Sequence, residues 1–220
     1  KKDFHSDWEA SQQGFSAFDS LPPKFSDFLL SHVGAKVAQK TEQTIWNGAA
    51  ATAGEFNGFK ALMLADADVT DVGGGAAVTA ANVIAKIGLV VDAIGSSLYT
   101  SDEMFIYVSQ NVARAYVRAL GGFATNVGAA GINSDGTQWY TGGTLSFDGI
   151  KLAVANGLAD NTMVAAEKSN LFFGTGLMAD ANQVKVIDMA DIDGSQNVRV
   201  VMRYTAGVQY GIGSDIVLYS

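Results

Sequence analysis

Cysteine is absent from the 220 residues, and disulfides, thiolate metal sites and a cysteine nucleophile are absent with it. The usual framework of a small secreted protein is therefore excluded, and an intracellular origin is the expectation. Histidine is reduced to His5 and His32, which lie far apart in different kinds of segment and in neither a nucleophile nor a metal motif. Charged residues make up only 16% of the chain. They are also of the wrong sign for a polyanion partner: 14 Lys and Arg against 22 Asp and Glu leave a net charge of -8, without the basic excess that sequence-independent phosphate binding needs. Long hydrophobic runs are missing too. The longest, from Ile84 to Ile94, is broken by Lys86 and Asp92, well short of the roughly 20 apolar residues of a membrane helix. The opening Lys1-Lys2-Asp3-Phe4 has neither an initiator Met nor a signal-peptide core, so the chain is expected to be the interior of a longer one.

What is present is an apolar, glycine-rich chain: 48% hydrophobic residues and 25 glycines, enough to bury one substantial core or two smaller ones. Pro22-Pro23 marks a helix start, because proline is tolerated in a first helical turn. Phe25, Leu29, Val33 and Val37 then recur every four residues, and Asn47-Gly48 is a stop signal, which predicts a single long helix over Leu21 to Gly48. The Asp- and Gly-rich segment from Asp66 to Gly75 reads as a surface loop and a hinge between lobes. Thr79 can cap a second helix with the stripe Val83, Ile87, Val90, Ile94 and Leu98. Met104 to Val108 reads as a buried strand, and Ser109 can cap a third helix running to Gly121-Gly122. Past a glycine-rich stretch from Phe123 to Thr144, short β-like runs occupy Ile150 to Ala155, Met163 to Ala166, Asn170 to Phe173, Val184 to Ile187, Val198 to Tyr204 and Ile216 to Tyr219. Arg199 and Arg203 share one face of the Val198 run. Helices and strands without regular βαβ alternation make an α+β protein, expected to be two-lobed with Ile87, Ile94, Phe105, Val108 and Tyr116 in its core.

Chemistry is thin along this chain. No G-x-S-x-G elbow, phosphate-binding loop or dinucleotide fingerprint occurs, and Gly73-Gly74-Gly75 before a helix reads as a hinge. Asp66, Asp68 and Asp71, and separately Asp188, Asp191 and Asp193 before Gly194, could offer calcium oxygen ligands, but neither group completes the twelve-residue loop with its terminal Glu, and solvated turns explain them. Asn161-Thr162 and Asn170-Leu171 complete no glycosylation sequon. Trp139-Tyr140 and Phe172-Phe173 lack clustered Arg or Lys and read as packing residues or subunit contacts. No catalytic, cofactor-binding or metal residue is assigned. The Gly and aromatic alternation near the C-terminus imitates an outer-membrane barrel strand, against which three amphipathic helices argue.

Three strings, in their order, resemble the major capsid proteins of tailed phages with the Hong Kong 97-type fold. LPPKFSDFLLSHVGAKVAQKTEQTIWNG, from Leu21 to Gly48, is similar to the family's long spine helix. VTAANVIAKIGLVVDAI, from Val78 to Ile94, followed by FIYVS and NVARAYVRAL, resembles the opening of its axial domain. NTMVAAEKSNLFFGTGL, from Asn161 to Leu177, and VRVVMRYTAGVQYGIGSDIVLY, from Val198 to Tyr219, are similar to its terminal segments. Family members carry an N-terminal arm and an extended loop ahead of the spine helix, and this chain begins about where that loop would end. The lysine that cross-links one branch of the family lies in that loop, so no residue here takes its role.

The resemblance implies a peripheral domain with the spine helix over 1–78, a compact axial domain over 79–194, and return strands over 195–220. It implies a structural subunit, not an enzyme, that assembles with copies of itself into hexamers and pentamers of an icosahedral shell. Scaffolding or decoration proteins are possible partners. The genome is enclosed without being specifically bound, no membrane or cofactor is involved, and the shell is built in the bacterial host cytoplasm. Without the arm and loop the chain itself is expected to be monomeric or weakly associated. Two other readings stay open: an encapsulin-like nanocompartment shell around cargo enzymes, and an acidic metal-dependent enzyme built on the aspartate groups.

Overall fold

The structure is a computed structural model that describes residues 25–73, 77–120, 145–176, 184–189 and 198–220. The chain divides into two compact units. One comprises residues 1–41 and 175–205, the other 42–174 and 206–220. The Asp-Gly segment expected to be a hinge contains a short edge strand, β1 (Thr70–Asp71), that pairs in parallel with Val217 and Leu218. The amide of Val72 donates to the Leu218 carbonyl at 3.0 Å, and Val69 and Val78 are buried, so the segment is held to the sheet of the larger unit. Gly73 has φ +72, a conformation suited to glycine, while Gly74 and Gly75 lie outside the described residues.

The first helix, α1 (Phe25–Asn47), forms as the four-residue periodicity predicts, although Pro22-Pro23 lies outside the described residues. At 1.5 Å per residue it is about 35 Å long. Leu29, Val33 and Val37 are only half-buried, and full burial is confined to the last turn at Thr44 and Trp46, which belongs to the larger unit. In the smaller unit, β7 (Val184–Asp188) and β8 (Val198–Met202) form an antiparallel ribbon, and the hydroxyls of Thr41 and Tyr204 are hydrogen-bonded. Arg203 lies just beyond the end of β8, so the expected run to Tyr204 stops two residues early.

The larger unit is built on a six-stranded mixed sheet. Its strands are β2 (Met104–Val108), β3 (Leu145–Phe147), β4 (Ile150–Val154), β5 (Met163–Glu167) and β10 (Val217–Tyr219) together with β1, in the order β1-β10-β5-β2-β4-β3. Central strands covered on both faces need apolar residues at every position. β5 meets that demand with Met163, Val164, Ala165 and Ala166, all 0% exposed. Alternation sorts them: Met163 and Ala165 face one core, Val164 and Ala166 the other.

The first core holds α3 (Val83–Asp92) and α4 (Gln110–Leu120) against Met104, Ile106, Val108, Val217 and Tyr219. α3 starts four residues later than the expected Thr79 cap. The Thr79 carbonyl accepts from the Val83 amide at 2.9 Å, and Asn82, whose side chain bridges the Thr79 amide and the Ala77 carbonyl, takes the turn before the helix. α3 also ends before Ile94 and Leu98, which pack from the turns that follow. Ser109 precedes α4, but its hydroxyl donates to Asn111 Oδ1 at 2.7 Å. The same oxygen accepts the amides of Val112 and Asn161. Asn111 Nδ2 in turn donates to Asn161 Oδ1, which also accepts from the Val78 amide, so two asparagines tie three loops together. Asn161 sits at φ 63, a region asparagine tolerates.

The second core surrounds Trp46, whose ring lies 5.4 Å from Phe59 of α2 (Phe59–Ala65) and 5.3 Å from Tyr107. Of the five residues expected in the core, Ile87, Ile94, Val108 and Tyr116 are buried. Phe105 is not. It shares with Tyr107 the parity of β2 turned away from α3 and α4, is half-buried, and has Lys151 Nζ 5.7 Å from its ring centre.

Candidate interaction surfaces

The residues singled out for chemistry are engaged in holding turns. Asp66 Oδ1 accepts the Asp68 amide at 3.0 Å, and Asp71 Oδ1 accepts the Gly73 amide at 2.9 Å, both Asx turns. Among the described residues no three His, Asp or Glu side chains gather as a metal site. His32 is exposed on α1, and Asp188 lies in β7, while His5, Trp139, Tyr140, Asp191, Asp193 and Gly194 fall outside the described residues.

The shifted pKa values mark packing. Burial pushes Tyr107 up, and burial followed by the charge of Asp148 pushes Tyr116 up. Tyr210, on β9 (Ala206–Tyr210), donates to Asp66 Oδ2 at 2.8 Å. Burial first, then that hydrogen bond, raises its pKa to about 12. The Asp68 amide first, and the Tyr210 hydroxyl second, hold Asp66 below its ordinary 3.8. Next to this pair Asn170 closes the turn after β9: its Nδ2 donates to the Ile212 carbonyl at 2.8 Å, and its Oδ1 accepts the amides of Gly211 and Ile212. Nothing in the sequence distinguished this asparagine, because its partners are forty residues away.

With the polar groups committed to structure, the conspicuous surface is apolar. β6 (Leu171–Thr175) pairs with β9 in a two-stranded sheet, and its consecutive Phe172 and Phe173, on opposite faces by the strand period, are 55% and 48% exposed. Ile212 is exposed too, at the turn Asn170 closes. On α3, Ile84 and Leu89 face outward, opposite the stripe Val83, Ile87 and Val90. On β7, Val184 and Val186 are exposed. β6 and β7 each therefore show solvent a pair of apolar side chains on a ribbon only two strands wide. Of the two roles expected for these phenylalanines, packing or subunit contact, their half-exposed rings leave a face open for contact.

Among solved structures, the fold is that of phage capsid proteins. A chain of Mycobacterium phage Che8 superposes with a TM-score of 0.55 at 17% identity, covering 86% of this chain and 61% of that one. A chain from the capsid of an empty GTA particle gives 0.51 at 12% identity, covering 88% and 64%. A chain from the procapsid of satellite phage P4 that includes the size determination (Sid) protein gives 0.50 at 10% identity, covering 87% and 67%. This chain thus spans less than two thirds of the first two. No protein-family model matches it, and no curated protein does.

Proposed function

We propose that this chain is the folded body of a tailed-phage major capsid protein, a structural subunit that assembles with its own copies into an icosahedral shell around the genome. The fold likeness over 86% of the chain carries the reading. Buried, turn-holding polar groups and exposed apolar ribbons support a role in assembly rather than catalysis. In this reading α1 is the spine helix of a peripheral domain, the body from residue 79 is the axial domain of a Hong Kong 97-like subunit, and the chain from 195 returns to both. The division of residues 195–205 and 206–220 between the two units supports that return. Hexamers and pentamers, possible scaffolding or decoration proteins, an enclosed but not specifically bound genome, and assembly in the bacterial cytoplasm complete the proposal. Among the described residues no helix is long and apolar enough to cross a membrane.

The test is electron microscopy of the full-length product expressed alone and with its neighbouring genes. Closed icosahedral particles or tubes are the expected result, and a product that stays monomeric in both settings would overturn the reading.

A further inference from the structure

Charge is divided unequally between the two units. The larger holds six Lys or Arg against thirteen Asp or Glu, and the smaller eight against nine, so nearly all of the net -8 sits on the larger. Among the described residues of the smaller unit the balance reverses, with Lys36, Lys40, Lys185, Arg199 and Arg203 against Asp27 and Asp188.

The β7–β8 ribbon concentrates that excess. Its register places Lys185 opposite Val201 and Ile187 opposite Arg199. Directly paired residues point to the same side, so Lys185 and Arg199 share one face with Ile187 and Val201, and Val184, Val186, Val200 and Met202 share the other. Lys185, Arg199 and the following Arg203 are exposed, and so are Val184 at 39% and Val186 at 49%. A ribbon of two strands is marginally stable in water by itself, and this one shows solvent a valine face as well as a basic one.

We propose that the β7–β8 ribbon is an assembly contact that docks onto the acidic larger unit of a second copy of this chain. The inference rests on the shell-subunit reading and names its contact. A second copy fits better than a polyanion because the valine face needs apolar cover that a phosphate backbone does not supply, and because the chain's net -8 repels such a partner. Each copy carries both the ribbon and the acidic surface, so the contact is heterologous and can propagate around a ring. Opposite charges would set its orientation, and exposed pairs would make it sensitive to salt.

The experiment compares three proteins by sedimentation velocity and light scattering over a range of concentration and salt: the wild-type chain, Lys185→Glu/Arg199→Glu, and Arg114→Glu/Arg118→Glu. The last carries the same net charge, with its changes on exposed positions of α4 in the larger unit. The wild type should associate more at low than at moderate salt, since plain repulsion between copies of net charge -8 would give the opposite trend. Lys185→Glu/Arg199→Glu should weaken association by about tenfold or more, and Arg114→Glu/Arg118→Glu by less than about twofold. Association that rises with salt, or that both variants weaken equally, would overturn the proposal. Binding of a DNA duplex through Lys185 and Arg199 without self-association would also overturn it, in favour of a phosphate contact. Circular dichroism checks that the variants fold, and Lys185→Gln/Arg199→Gln offers a milder change at the same positions. Introducing the ribbon substitutions into the full-length protein separates the two readings: shells that form equally well with them sink the ribbon contact alone, whereas a wild type that forms no shells sinks the subunit reading.

Discussion

Adding one methyl group at Gly157 tests how α1 is seated in the larger unit. A Cβ built there would collide with the backbone carbonyl oxygen of Glu42, lie 2.7 Å from its carbonyl carbon and 2.8 Å from Trp46 Cδ1. Carbon atoms prefer about 3.5–4.0 Å, and a backbone carbonyl cannot rotate aside as a side chain can. The helix end would have to move away by most of an ångström. That shift would strain the hydrogen bond from Asn47 Nδ2 to the Gly157 carbonyl and loosen Trp46 from Phe59 and Tyr107. Overpacking of this kind costs about 1–3 kcal/mol and a weakened hydrogen bond about 1 more, so Gly157→Ala should destabilise the unit by about 2–4 kcal/mol. For a unit of about 150 residues that corresponds to a Tm lowered by roughly 5–15 °C. Gly88→Ala is the matched control, because its Cβ in the middle of α3 meets nothing within 4 Å. It should stabilise by about 0.5–1 kcal/mol through helix propensity. Thermal melts followed by circular dichroism, with the tryptophan fluorescence to which Trp46 contributes alongside Trp8 and Trp139, read both effects. A Gly157→Ala protein that melts with the wild type would show that the helix end is not seated there.

Asn170→Ala leaves the Ile212 carbonyl and the Gly211 and Ile212 amides without their side-chain partner and should cost about 1–3 kcal/mol in urea denaturation, an estimate that an unchanged midpoint would refute. Tyr219→Phe should be neutral or stabilising by about 1 kcal/mol, since the buried Tyr219 hydroxyl has no hydrogen-bond partner among the described residues; clear destabilisation would reveal one. The folded pKa of Tyr210 is raised from 10.0 to about 12, so the neutral phenol contributes stability in full below pH 10, and that contribution is lost as pH climbs toward 12. Asp66 is lowered, so its contribution is present above 3.8 and lost as pH falls further. Tyr210→Phe should therefore flatten the alkaline fall in Tm and remove a step near pH 12 from the tyrosinate absorbance, and an unchanged alkaline profile would contradict the raised pKa of Tyr210.

Local pattern carried much of this fold. The four-residue spacing of Phe25, Leu29, Val33 and Val37 located α1, and the apolar run Met104 to Val108 located β2 residue for residue, because helix and strand periods are properties of neighbouring residues. Composition and motifs assigned no catalytic or metal residue, and the expectation of a shell subunit came from the resemblance of three strings in their order. What the sequence could not supply were facts of pairing between distant segments. Thr70 and Asp71 look like a hinge until Val217 and Leu218, nearly 150 residues on, offer a strand to pair with. Phe105 looks like core until the sheet fixes which parity of β2 faces α3. The helix Phe59–Ala65 and the strand Ala206–Tyr210 are short segments whose stability comes from what they pack on, so neither announced itself. Asn170 and Asn161 became structural keys only when the fold brought carbonyls and amides within 3 Å of their side chains, since a hydrogen bond is decided by geometry that no local window contains.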